Sequence, residues 1–254
     1  MKKLLFIFLL TTLVSFSQET VIDIDYTVDY AIPNERKKTI DTISIGFDKD
    51  GKYLWTNDDL LTNEFGKSVF LGGANKIEGS QFNLIYSAEN DKLIIFFKFA
   101  ESIIYANLDI ENILPVDEKD AINENINLIT EDIKEEDSVV DFKTSTYKLY
   151  PDFEPSEAIT ISVADNLNCK NNVFFSKFVG LMLRMTSSKG QITVDLPDGL
   201  ILKALDEKGS VLIEAINVDN TKKTLTINHS FKITEWKHIQ TQEIRIHALV
   251  LELV

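Results

Sequence analysis

Apolar and polar residues alternate with period two over much of this chain. Ile22, Ile24, Tyr26, Val28 and Tyr30 fall on one side of an extended segment, and Asp23, Asp25, Thr27 and Asp29 fall on the other. Side chains alternate across a strand, so the pattern predicts one strand with a buried face and a wet face, ended by Pro33 and Asn34. Residues 39–47 and 52–56 flank the turn Asp48-Lys49-Asp50-Gly51, a hairpin signal. Residues 57–80 read as loop. The apolar runs 93–99 (LIIFFKF) and 102–110 (SIIYANLDI) predict neighbouring strands in the core. Further strand patterns cover 139–150, 158–163, 200–205, 211–218 and 224–234, and 243–254 also has strand character.

Two segments follow a different period. From Asn172 to Met185 the polar residues Ser176, Lys177, Gly180 and Arg184 share one narrow helical face, and apolar residues fill the rest. Such a helix, about 173–186, must be largely buried. Residues 117–137 carry nine carboxylates, opposed by Lys119 and Lys134. That composition fits a mobile acidic insertion. The spacing of Ile122, Ile126, Ile129 and Ile133 equally fits a weak acidic helix at about 120–134. The expected class is α+β and mostly antiparallel β: a curved sheet or half-barrel with one buried apolar helix.

The first residues change the picture by adding a compartment. Lys2 and Lys3 precede the unbroken apolar run Leu4 to Leu10, and Ser15-Phe16-Ser17 has the small-x-small form of a cleavage site. This is the pattern of a secretory signal peptide, residues 1–17, leaving Gln18 as the new N-terminus. The alternative is a buried N-terminal strand or helix, but a core element rarely sets two lysines directly before such a run. The apolar run is far shorter than the roughly 20 residues of a membrane span, so no integral membrane anchor is expected. The residue after the cut is Gln18 and not the cysteine of a lipoprotein. The expectation is a soluble periplasmic or extracellular protein. It comprises a single domain at 18–236, with the acidic insertion 117–137, and a C-terminal strand or tail at 237–254.

Cys169 is the one cysteine, so no internal disulfide forms. It is either buried and inert or available for an intermolecular bond. The formal net charge is −14 over 254 residues. An acidic chain repels phosphate backbones, so no nucleic-acid partner is expected.

Several chemistries lack their residues. Gly66-Lys67-Ser68 has the tail of a phosphate-binding loop, but Leu61 stands where its first glycine belongs. Asp48-Lys49-Asp50-Gly51, aligned as a calcium loop, would have Gly46 first and Asn57 last, so a hairpin turn is the better reading. His229, His238 and His247 lack zinc-site spacing, and His229 reads as a core histidine. Trp55 and Trp236 could form a carbohydrate platform, though core packing is the more ordinary role. No catalytic residue, metal site or cofactor is assigned. The spacing of carboxylates in sequence leaves a hydrolase open.

The stretch FFSKFVGLMLRM, followed by LPDGLILKALDEKGSVLIEAINV, resembles the helix and closing hairpin of exported half-barrel families related to the LolA-like lipoprotein carriers. The resemblance covers about a quarter of the chain and transfers no functional residue. It implies an open half-barrel with an apolar concave face. From it follows the first functional expectation: a non-enzymatic protein that binds a lipid or other apolar small molecule. Phe174, Phe178, Leu181, Met182 and Met185 would line or plug the concavity. A structural or interaction module with an envelope protein partner is the alternative, and a hydrolase with unrecognised carboxylates is the third.

Overall fold

The computed structural model describes residues 19–34, 37–59, 62, 81–99, 102–109, 126–156, 158–174 and 192–228. They form one large, curved, open and mostly antiparallel sheet and a separate two-stranded ribbon. The strands are β1 (Glu19–Ile24), β2 (Tyr26–Asn34), β3 (Thr39–Phe47), β4 (Tyr53–Thr56), β5 (Phe82–Ser87), β6 (Lys92–Phe99) and β7 (Ser102–Asp109). They continue with β8 (Ile126–Val139), β9 (Phe142–Pro151), β10 (Ile159–Ala164), β11 (Ile192–Val194), β12 (Leu200–Leu205), β13 (Val211–Asp219) and β14 (Lys223–Asn228). The order across the large sheet is β11-β8-β9-β10-β12-β13-β2-β3-β4-β5-β6-β7, and β1 pairs with β14 in the ribbon. Only β11 and β8 run parallel among these pairs.

The period-two segment at 22–30 is two strands. It breaks at Asp25, whose N–H donates to the Phe47 carbonyl at 2.8 Å and whose carboxylate accepts the Lys49 N–H at 2.9 Å. The alternation runs on, but its apolar residues divide between two cores. Ile22 and Ile24 pack with Trp55, Ile85, Ile94, Tyr105 and Ile227. Val28 and Tyr30 pack with Ile43, Ala164, Leu200, Leu202 and Ala215. The chain therefore steps off the sheet at Asp25.

The strands β4 to β7 are apolar on both faces. On β5 and β6, Ile85 and Ile94 face the ribbon, while Phe82, Tyr86, Leu93, Ile95 and Phe97 form a cluster on the other side. Burial on both sides explains why LIIFFKF is almost continuously apolar. Gly46 marks the closest approach of the ribbon. A Cβ there would stand 2.7 Å from Ile24 and 2.8 Å from the Trp55 ring. A fourth cluster, Leu149, Ile161, Val163, Leu196 and Ala204, lies around β9, β10 and β12.

The acidic segment corrects the sequence reading. Residues 126–134 are strand, not helix, and the insertion drawn at 117–137 ends inside the sheet as β8. Residues 117–125 lie outside the described residues. In a helix, like charges three and four apart would repel one another. In the strand, Glu131 stands opposite Lys148, and the Lys143 ammonium reaches Glu136 at 2.8 Å. β-branched Ile126, Ile129, Thr130 and Ile133 also suit a strand. Of the isoleucines whose spacing imitated a helix, Ile126 and Ile129 precede a register shift between Asp132 and Glu136 and Ile133 lies within it, next to Lys134 at φ +54°. Of the apolar helix expected at about 173–186, the described residues contain its first turn, 171–174.

Candidate functional site

The sequence placed the functional interest on Phe174, Phe178, Leu181, Met182 and Met185. Phe174 is described, and the other four lie outside the described residues. Its ring packs on the cluster of Phe82, Tyr86 and Phe97. It also meets Phe47 edge to face, with centroids 6.4 Å apart. Phe47 belongs to the neighbouring core and meets Tyr30 in the same way, at 6.4 Å. Phe174 thus sits where two cores join.

A strap at 165–174 brings it there. The strap leaves β10 and is clamped between two turns that are distant in sequence. On one side is the hairpin turn Asp48–Gly51. The Lys170 N–H donates to the Lys49 carbonyl at 2.9 Å, and the Cys169 thiol donates to the Asp48 carbonyl at 3.7 Å. Gly51, at φ +71°, lies so close that a Cβ would stand 2.2 Å from the Lys170 carbonyl oxygen. On the other side is the loop 195–199. The Asn171 amide donates to the carbonyls of Pro197 at 2.8 Å and Gly199 at 2.7 Å. The Gly199 N–H donates to Cys169 at 2.8 Å, and the Leu196 N–H donates to the Asn172 side chain at 2.6 Å. Tyr26 Oη adds a 3.4 Å hydrogen bond to the Asn168 carbonyl. Buried backbone groups need partners, and here two asparagines supply them.

These roles were not assigned from sequence. The one visible signal was the run of asparagines at 166, 168, 171 and 172 immediately before the apolar stretch. Asparagine carries both donors and an acceptor, which is what a loop needs to anchor on two others.

Two titratable groups at this clamp, Asp48 of the hairpin turn and Cys169 of the strap, serve the packing. Asp48 is buried, and its Oδ1 accepts the N–H groups of Lys52 at 2.6 Å and Tyr53 at 2.7 Å. Burial raises its pKa above the usual carboxylate value, opposed by those backbone donors. A carboxylate occupied in this way closes a hairpin turn. Burial also pushes the Cys169 thiol up to about 12, helped by the nearby carboxylates of Asp48, Asp198 and Asp25. The thiolate is the reactive form, so burial and the raised pKa both disfavour reaction at Cys169.

Trp55 belongs to the core beneath the ribbon. Its Nε1–H donates to Asn83 at 3.1 Å, and the Lys223 ammonium stands 5.5 Å from its ring centroid. The three histidines, Trp236 and the Gly66-Lys67-Ser68 segment lie outside the described residues. Among the described residues, no group of three or more His, Cys, Asp or Glu side chains could hold a metal ion. Among them, too, no helix is long and apolar enough to cross a membrane.

The exposed feature is the β8–β9 hairpin. Glu131, Asp132, Glu135, Glu136 and Asp137 are all exposed, with Lys134 and Lys143 among them. Fold and surface together define a β-sheet scaffold with an acidic arm.

No family model matches the chain. No curated protein matches it either. Among solved structures it is similar to PNGF-II in the C2 space group, with 14% identity and a TM-score of 0.35 over 76% of this chain. It is also similar to PNGF-II in the P21 space group, with 13% identity and a TM-score of 0.36 over 82% of this chain. The chain spans 27% and 30% of the length of those two structures.

Proposed function

We propose that this chain is an exported, non-enzymatic interaction module, and that the β8–β9 hairpin is its contact arm toward an envelope or secreted partner. The observation that carries the reading is the separation of burial from charge. Near one end of the sheet, β5 and β6 are apolar on both faces, with Ile85, Ile95 and Phe97 at 1% exposure or less. Five carboxylates of β8 lie on the surface toward the other end. A basic patch on a partner complements such an arm, and the attraction is screened by salt over about 8 Å at physiological ionic strength.

Deleting 117–137 would remove most of a paired strand, so the test must keep the backbone. The variant Glu131→Gln, Glu135→Gln, Glu136→Gln, Asp137→Asn preserves shape and pairing. The unmodified protein is expected to retain envelope partners at low salt and release them at high salt. The variant should lose them with an unchanged melting temperature. Equal retention by the variant would overturn the proposal.

A second reading is favoured by the position of Phe174. The apolar segment Phe174–Met185 starts at the junction of two cores, as a helix covering an apolar concavity would. In this reading the chain is a LolA-like half-barrel that holds a lipid or other apolar molecule, with Phe174, Phe178, Leu181, Met182 and Met185 against it. Native mass spectrometry of freshly purified protein then shows a bound adduct. A bare mass at every activation energy rules this reading out.

A further inference from the structure

Strand β1 is paired from its first residue: Glu19 stands opposite Asn228, and the register runs without a break to Ile24 opposite Lys223. The export pattern places its cut after Ser17, one residue earlier than this strand. The residue left carrying the α-amine is then Gln18. Gln18 lies outside the described residues, and its chemistry follows from its place in the chain.

We infer that Gln18, once the leader is removed, closes to pyroglutamate and caps β1. The inference rests on the export reading. In the step, the neutral α-amine attacks the carbonyl carbon of the glutamine's own side-chain amide. A new C–N bond closes a five-membered lactam, and the bond to the amide nitrogen breaks. The proton given up by the amine goes to that nitrogen, which leaves as ammonia. No redox partner is needed. Nucleophile and acceptor belong to one side chain, so an amide exchange that is slow between molecules becomes intramolecular. An α-amine titrates near pH ~8, so a useful neutral fraction exists in an extracellular compartment.

The structure supplies the reason a cap matters. Ile22 and Ile24 are 1% and 0% exposed and pack under the ribbon on Trp55, Ile85, Ile94 and Tyr105. With β1 starting at Glu19, a cut after Ser17 leaves Gln18 alone between the new chain end and this ribbon. An aminopeptidase that passed Gln18 would unpair β1 directly. A lactam leaves no α-amine for such an enzyme and removes the terminal positive charge.

The test exports the full precursor with its own leader and sequences the N-terminal peptide by tandem mass spectrometry. The expected peptide starts at residue 18, is lighter than its sequence by one ammonia, and resists stepwise N-terminal degradation. A free amine on an intact Gln18 overturns the inference while leaving the cleavage site standing. A peptide starting elsewhere overturns the cleavage reading beneath it. Gln18→Asn supplies the control, because its shorter side chain would have to close a strained four-membered ring. It is expected to keep its ammonia and to be trimmed by an added aminopeptidase that leaves the native end intact; equal trimming of both would sink the protective role.

Discussion

Replacing Gly51 by alanine tests the strap against the turn that holds it. Two costs arise, and a second glycine separates them. Gly51 has φ +71°, and Gly209, in the turn between β12 and β13, has φ +82°. Each alanine is strained by roughly 1–2 kcal/mol in that conformation. At Gly209 nothing lies within 4 Å of an added Cβ, so strain is the whole effect. At Gly51 the methyl would stand 2.2 Å from the Lys170 carbonyl oxygen, an approach no methyl group makes. The turn and strap must part, which breaks the Lys170–Lys49 hydrogen bond and the thiol contact from Cys169. Losing one buried hydrogen bond and leaving its groups unpaired costs about 1–3 kcal/mol more. Gly51→Ala should therefore lose about 2–5 kcal/mol, and Gly209→Ala about 1–2 kcal/mol. For a chain of this size each kcal/mol moves Tm by about 2–4 °C. Thermal melts of both variants, followed by circular dichroism, read the difference. A thiol reagent supplies a second signal, since Cys169 should label faster in Gly51→Ala and no faster in Gly209→Ala. Equal melting shifts, or unchanged labelling in both, would refute the clamp.

Three other outcomes follow from the same contacts. Ile24→Ala empties a fully buried site beneath the ribbon and should cost about 2–5 kcal/mol in urea unfolding; a loss under about 1 kcal/mol would mean that the ribbon does not seal this core. Asp48→Asn keeps an oxygen acceptor for Lys52 and Tyr53 but removes a charge that burial disfavours. Because the folded-state pKa of Asp48 lies above its ordinary value, its stabilising contribution is complete below the unfolded pKa of about 3.8 and is lost as pH rises through the folded pKa. The variant should match the native protein at pH ~3 and gain on it toward pH ~7, and a variant that falls behind as pH rises contradicts that sign. The native thiol of Cys169 should resist an exposed-thiol reagent at pH ~8 and react only on unfolding, as kinetics of labelling with and without denaturant will record.

Most of the sheet was legible in sequence because its strands carry their burial pattern on their surface. The hairpin around Asp48–Gly51, the core pair β6 and β7, and the strands β9, β10, β12 and β13 all follow from alternation and turn residues. Two readings failed for a physical reason. At 22–30 the alternation is unbroken across Asp25, since period two does not say which core a face meets, and the step from ribbon to sheet uses hydrogen bonds to Phe47 and Lys49. In β8 the isoleucines at helical spacing do not share one face: Ile126 and Ile129, three apart, lie on opposite faces of the strand, and Ile133 falls within the register shift between Asp132 and Glu136. The strap was hidden for another reason. Its partners are Lys49, Pro197 and Gly199, and long-range hydrogen bonding leaves no local period. What remained visible was composition, in the asparagines that make those bonds.

The ribbon also fixes an order of events. Its two strands meet across a separation of 201 residues, as the hydrogen bond from Thr224 to Asp23 records. Closing a loop of that length costs about 2 kcal/mol more entropy than closing one of about 20 residues, and the hairpin of β2 and β3, with Asn34 opposite Thr39, closes a shorter loop still. The local hairpins can form as the chain emerges, but this seam cannot. Until residue 228 is available, Trp55, Ile85 and Ile94 present an apolar surface with no lid. The first strand of the fold is therefore among the last to be seated, and the chain must spend its passage to that point shielded from its neighbours.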